Sequence, residues 1–335
     1  MFVESVLKTL LTQYNQKKLS AEYNATMRKQ ELYEKYPKLQ ELNDKLTKMA
    51  ISTTKTLINH NDKKVLEELN TNIASLKEEK KQLLKKLNIA EDYFEPHYEC
   101  PICKDTGYIT NSDYTTSMCR CLKQKLYDIQ YNKANISNLD TQNFEHFNDS
   151  LYSDKVEQEK YHTNISPREN IHLIKDICLK FIENFDSKEQ KNLLFTGNTG
   201  LGKTFLSSAI ANELIKKGKN VLYQTAPVML DAIIDYRFGK ANSTNILDSI
   251  LNVDLLIIDD LGTECMNNMK FTELFNIINT RLLNQNKITK TIISTNLSLK
   301  NLYSNYDERI VSRIVGNYDI CYFFGEDIRF KIRNA

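Results

Sequence analysis

Residues Gly197-Asn198-Thr199-Gly200-Leu201-Gly202-Lys203-Thr204 constrain this chain more than any other stretch, because they form a complete glycine-rich loop of the phosphate-binding type. The apolar run Asn192 to Thr196 before it predicts a buried strand, and the apolar spacing from Phe205 to Lys217 after it predicts a helix. Gly197, Gly200 and Gly202 let the backbone turn tightly and aim its N–H groups inward, and the adjoining helix points its positive end at the same anion. Lys203 is expected to reach the terminal phosphates, and the Thr204 hydroxyl to help hold Mg²⁺. The motif therefore predicts binding of a polyphosphate nucleotide.

A second element extends this to hydrolysis. Val253 to Asp260 is an apolar run ending in two carboxylates, as expected of a central parallel strand that opens onto a ligand crevice. Asp259 is read as facing the metal and Asp260 as polarising the attacking water, since phosphoryl transfer requires mainly aligned groups and compensating charge. Strands are predicted over 220–225, 289–295 and 320–324, and helices over 228–236, 246–251 and 271–283. That alternation implies an α/β fold with a parallel sheet and right-handed crossovers. Asn296 ends one of these strands, where an amide can lie between the acid pair and the γ-phosphate; an isolated Asn there is more often a turn residue.

The 335 residues allow two or three modules, and an apolar fraction of 41% supplies at least one sizeable core. A net charge of +2 gives no global electrostatic case for nucleic acid. No apolar run is long enough to span a bilayer and the first residues lack a secretory signal, so a cytoplasmic chain without membrane contact is expected. All glycines except Gly107 lie from Gly197 onward. Up to about Leu87 the chain is rich in Leu, Lys, Glu, Gln and Asn, with apolar positions such as Leu39, Leu42, Leu46, Met49, Leu69, Ile73, Leu76 and Leu83 at helical spacing. Antiparallel helical hairpins or a short coiled coil are expected, broken at Pro37 and again at 59–62, with Asp62 as an N-cap.

Four of the seven cysteines fall within about twenty residues as Cys100-x-x-Cys103 and Cys119-x-Cys121. Two such knuckles suit one tetrahedral Zn²⁺ in a closed, structural site. An iron–sulfur cluster is the competing reading, and His97 is a spare ligand. Cys178, Cys265 and Cys321 sit in apolar sequence and are read as small buried hydrophobes. Domains are expected at 1–95 (helical, partner-binding), 96–135 (four-cysteine zinc module and the helix after it) and 136–335 (ATPase).

The glycine-rich loop, the Asp259-Asp260 strand, Ser294-Thr295-Asn296, Asp307 to Arg313 and Gly325 to Arg329 together resemble the AAA+ ATPases of the bacterial replicative helicase loaders, the DnaC/DnaI family. The resemblance covers roughly residues 140 to 333, and the helices and cysteines ahead of it resemble the DnaI-like branch. It implies that Lys203 and Thr204 are the Walker A residues and Asp259 and Asp260 the Walker B pair. Asn296 matches the first sensor, Arg313 the arginine finger with Arg309 as rival, and Arg329 the second sensor. It further implies ATP with Mg²⁺, self-association through the ATPase module, a hexameric replicative helicase as partner, and single-stranded DNA. A comparable DNA-contacting position here is Tyr236-Arg237-Phe238-Gly239-Lys240; the alternative is a helix end with inward aromatics and capping charges. Two departures from the usual AAA+ pattern are notable, the second of them shared by the helicase loaders. Asp260 replaces the commoner glutamate, which predicts slow turnover, and the short tail after the last strand leaves little room for a helical lid. The alternatives are a transposition accessory ATPase of the IstB type, a nucleotide-gated binding module with negligible hydrolysis, and a zinc-containing coiled-coil scaffold.

Overall fold

The computed structural model describes residues 2–59, 63–129, 141–239, 246–265 and 267–333. The chain divides into two compact units, Lys8–Ser117 and Met118–Ala335 with the first seven residues.

With no glycine before Gly107, the N-terminal unit is built from long helices: α1 (Phe2–Lys35), α2 (Pro37–Asn59) and α3 (Lys63–Lys86). The break between α1 and α2 falls at Tyr36, because Pro37 lacks an N–H, disfavours helical geometry in the preceding residue, and suits the first position of a new helix. Helices α2 and α3 pack against one another. Leu32, Leu39 and Leu84 form a small core there, with Tyr33, Tyr36, Leu83 and Phe94 packed around it. The expected cap at Asp62 lies outside the described residues. After residues 87–107, which include a single helical turn at Glu91–Phe94, the chain forms a two-stranded sheet of β1 (Tyr108–Thr110) and β2 (Thr116–Met118).

The second unit begins with α4 (Arg120–Tyr127), α5 (Gln158–Tyr161) and α6 (Pro167–Glu183), the last opened by a capping box in which Ser166 and Glu169 satisfy each other's backbone amides. Then strands and helices alternate: β3 (Asn192–Gly197), α7 (Lys203–Lys216), β4 (Val221–Thr225), α8 (Ala226–Arg237), α9 (Ile246–Asn252), β5 (Leu255–Leu261), α10 (Asn268–Leu282), β6 (Lys290–Thr295), α11 (Leu299–Asn305), α12 (Glu308–Asn317), β7 (Tyr318–Phe323) and α13 (Arg329–Arg333). The five long strands form one parallel sheet in the order β4-β5-β6-β3-β7. Strand β7 starts two residues earlier than the apolar run predicts, because Tyr318 and Asp319 pair with Asn192 and Leu193 although Asp319 is polar. Cores lie on both faces: Leu193, Phe195 and Ile257 point to one, and Leu194, Leu256 and Ile258 to the other. No helix among the described residues is long and apolar enough to cross a membrane.

Both sheet edges are attended by side-chain amides. Val221 of β4 donates its N–H to Gln124 Oε1 at 2.8 Å and accepts from Gln124 Nε2 at 3.0 Å, so α4 completes the edge ladder at that residue. On β7, the Tyr322 carbonyl accepts from Asn170 Nδ2 at 2.9 Å.

Arg281 of α10 ties the base of the sheet together from a site only 3% exposed. Its guanidinium donates to the carbonyls of Ile250, Leu251, Val253 and Lys290 and to the Thr291 hydroxyl. Arg281→Leu strands several buried acceptors and is expected to lower the unfolding free energy by about 3–5 kcal/mol, measured by urea denaturation.

Candidate nucleotide site and four-cysteine cluster

The loop between β3 and α7 has a shape that side chains would obstruct. Gly197 has φ +142°, and a Cβ there would lie 2.1 Å from the Phe323 carbonyl oxygen of β7. Gly202 has φ +90° and stands against the Tyr152 hydroxyl, which in turn donates to the Leu201 carbonyl at 3.0 Å. The loop is thus held by neighbours on two sides while its backbone curls around Lys203. Lys203 Nζ donates to the carbonyls of Gly197 and Asn198 at 2.6 Å each and to Asn296 Oδ1 at 2.8 Å. Burial is the main influence on this ammonium and pushes it down to about 8, with Arg329 acting the same way and Asp259 and Asp260 opposing.

Asp259 is buried in the C-terminal half of β5, and both its oxygens are occupied. Oδ2 accepts from the Tyr223 hydroxyl at 2.6 Å and from Thr204 Oγ1 at 3.1 Å. Oδ1 accepts from Ser294 Oγ and from the Asp260 amide. The next residue behaves differently. The pairing of β5 with β6 slips between Ile258 and Leu261, and Asp260 adopts φ +55° in that bulge. A bulge re-aims a side chain, and Asp260 lines the cavity over the loop. Its carboxyl is raised from its ordinary value, first by burial and then by Asp259, while Lys203 and Arg329 pull it down. A raised carboxyl beside a phosphate cradle suits a proton acceptor.

The cavity, about 400 Å³, is lined by Lys203, Asp260, Asn296 and Arg329 on its polar side and by Phe147 and Tyr152 on its apolar side. Arg329 arrives there because the tail folds back, with the Ile328 amide donating to the Gly200 carbonyl at 2.9 Å. The donor set fits a polyphosphate: an ammonium, loop amides and a helix N-terminus converge on one cradle. Thr204 and Asp259 are the residues that would hold Mg²⁺, which would neutralise phosphate charge.

Arg309 and Arg313 are elsewhere, on α12 and outside the lining of this cavity. Both guanidinium groups lie over the Phe275 ring, at 5.3 and 4.7 Å from its centre. Arg309 is also gripped by Asp307 through two bonds of 2.9 Å, and Arg313 donates to Asn279 at 2.6 Å. Of the aromatic and basic segment at the end of α8, Tyr236 packs against the core and Arg237 forms a bidentate pair with Glu273 at 2.9 and 3.2 Å. Phe238 is 59% exposed, and Lys240 lies outside the described residues. Sequence reading did not single out Tyr223, Ser294 or Tyr152 as site residues. The first two announce themselves only through cross-strand neighbourhood, and Tyr152 stands 49 positions before the carbonyl it binds in the loop.

The thiols of Cys100, Cys103, Cys119 and Cys121 lie within 4.8 Å of one another. A tetrahedral Zn²⁺ with four thiolates at about 2.3 Å has ligand separations of about 3.8 Å, so the set fits that ion with little adjustment. Asp105 shapes the first knuckle by accepting from the Glu99 and Cys100 amides at 2.9 and 2.8 Å. Cys178 and Cys321 are buried as expected, but Cys265 is exposed, because it comes after Glu264 in the loop leaving β5 and not within an apolar element.

The depressed Lys203 ammonium makes both stability and binding depend on pH. Between about 8 and the ordinary lysine value of 10.5 the folded chain binds less proton here than the unfolded one, so stability from this group rises with pH through that window. A bound polyphosphate restores the proton. Calorimetry of Mg-ATP binding at pH 8.5 in buffers of different ionisation heat is expected to show uptake of roughly three quarters of a proton, falling to about a tenth at pH 7. For the cysteines, elemental analysis of protein purified under reducing conditions is expected to find about one zinc per chain, lost in Cys103→Ser; iron in its place would overturn the assignment.

Residues 149–333, more than half of the chain, match the family model described as IstB-like ATP binding protein. The replicative helicase loader DnaC of Escherichia coli K12 is 29% identical over 140 residues, covering 41% of this chain and 56% of that protein. Its counterpart from Buchnera aphidicola subsp. Baizongia pistaciae is 31% identical over 156 residues, covering 46% and 62%. The matched stretch thus spans little more than half the length of these relatives. Among solved structures, the DnaC helicase loader aligns with a TM-score of 0.41 and 27% identity, covering 50% of this chain and 95% of that one. The chain belongs to the family of IstB-like ATP binding proteins, with an AAA+ domain of the IstB/DnaC type.

Proposed function

We propose that this protein is an ATP-hydrolysing loader of a replicative DNA helicase, acting in the cytoplasm. The observation that carries the reading is a division of labour. Lys203, Asp260, Asn296 and Arg329 share one cavity, whereas Arg309 and Arg313 stand outside it on α12. A guanidinium presented there can serve the cavity of a neighbouring copy, which links nucleotide state to self-association. The names of the DnaC relatives support a helicase as the partner.

In this reading Lys203 and the loop amides bind the phosphates, Asp260 polarises water, and Asn296 and Arg329 orient the terminal group. Arg313 neutralises charge in trans, with Arg309 beside it as the rival donor. Asp260 is one methylene shorter than glutamate, so turnover is slow. Residues 1–95 hold the hexameric helicase, 96–135 form the zinc module, and 136–335 assemble side by side and bind single-stranded DNA in the ATP state. Hydrolysis then releases the helicase. A second reading, an accessory ATPase of DNA transposition, is favoured by the description of the matching family model.

Co-expression with the replicative helicase of the same genome and separately with a transposase of that genome, each with and without ATP, distinguishes the two. Helicase capture that depends on nucleotide supports the loader, and transposase capture replaces it. Single-turnover hydrolysis is expected to fall by about 100-fold in Asp260→Ala; equal rates in both proteins would remove the catalytic role of that acid.

A further inference from the structure

The loop leaving Asp260 reaches the arginine helix through one buried hydrogen bond. Glu264 and Tyr306 are 9% and 6% exposed. The Tyr306 hydroxyl donates to Glu264 Oε1, and the Gly262 amide donates to Oε2 at 2.9 Å. No cation pairs with Glu264 among the described residues, so these neutral donors are what make its burial tolerable. Between them the turn is tight. Thr263 bonds the Asp260 carbonyl through its hydroxyl at 2.9 Å and its amide at 3.3 Å. Tyr306 directly precedes Asp307, which caps α12 by accepting from the Arg309 amide at 2.8 Å and also grips the Arg309 guanidinium. The Tyr306 ring stands edge-on to Phe271 of α10, the helix that carries Phe275 beneath both arginines. Neither Glu264 nor Tyr306 lines the nucleotide cavity.

We propose that Glu264 and Tyr306 are positioning residues that hold the arginine-bearing start of α12 in register with Asp260. The posture of the acid in one copy then sets the guanidinium that the same copy offers to its neighbour. Asp260 at φ +55° and Gly262 at φ +106° leave the connecting turn few ways to relax, so a shift at the acid moves Glu264. This rests on the proposed hydrolysis with arginines acting in trans.

The test uses the full chain carrying Tyr306→Phe, which keeps the ring, and separately Glu264→Gln, which keeps the shape. Both are expected to bind Mg-ATP within about twofold of wild type while kcat falls about tenfold, because Tyr306→Phe removes the donor to Oε1 and Glu264→Gln leaves one acceptor oxygen for two donors, with cavity contacts kept. Added Lys203→Ala protein, which has an intact α12 but a disabled cradle, is expected to restore the rate by donating its arginines. Unchanged kcat, a loss of affinity equal to the loss of rate, failure of the added protein to rescue, or failure of both variants to fold would each overturn the proposal. An inert wild type overturns the functional reading itself, whereas an active wild type with indifferent variants sinks only this one.

Discussion

The nucleotide site depends on one buried carboxylate. Asp259 is costly to remove from water, and it is made tolerable by hydroxyls from three elements: Thr204 on α7, Tyr223 on β4 and Ser294 on β6. Satisfying the charge therefore fixes the loop helix to the centre of the sheet. It also fixes the next residue, since the Asp260 amide is bonded to Asp259 and lies 3.3 Å from Ser294 Oγ. The bulge that turns Asp260 into the cavity is anchored by the residue before it.

Around that anchor two groups lean towards neutrality from opposite directions. Burial raises the Asp260 carboxyl and lowers the Lys203 ammonium, and each is partly held back by the other. A polyphosphate entering beside them favours the charged lysine and disfavours a charged acid nearby. Anion entry would therefore offset the burial that lowers the Lys203 ammonium.

Local patterns made much of this readable. The glycine-rich loop sits between strand and helix as its sequence demands, and the apolar run ending at Asp259 is a central strand flanked by β4 and β6. Pro37 marked the helix break for a reason confined to its own ring. The features that escaped were nonlocal. Tyr223 sits in an apolar strand, and its bond to Asp259 depends on the register of β4 against β5. The φ of Asp260 arises from a slip between two strands, which no residue type announces. Arg237 reads in sequence as a DNA-contacting or helix-capping cation, and its bidentate pair with Glu273, 36 positions on, is invisible there. Cys265 is expected to be buried on residue type alone, yet it stands between Glu264 and the polar start of α10, in a loop, and is exposed.

The amides at the two margins of the sheet have a consequence for how copies of this chain can meet. With Val221 occupied by Gln124 and the Tyr322 carbonyl by Asn170, neither outermost strand offers a clean backbone template to another molecule. A molecule pairing along either margin would first have to displace these amides. Helix backbones are paired within themselves, so a second copy seated on a helical face would not compete for strand hydrogen bonds.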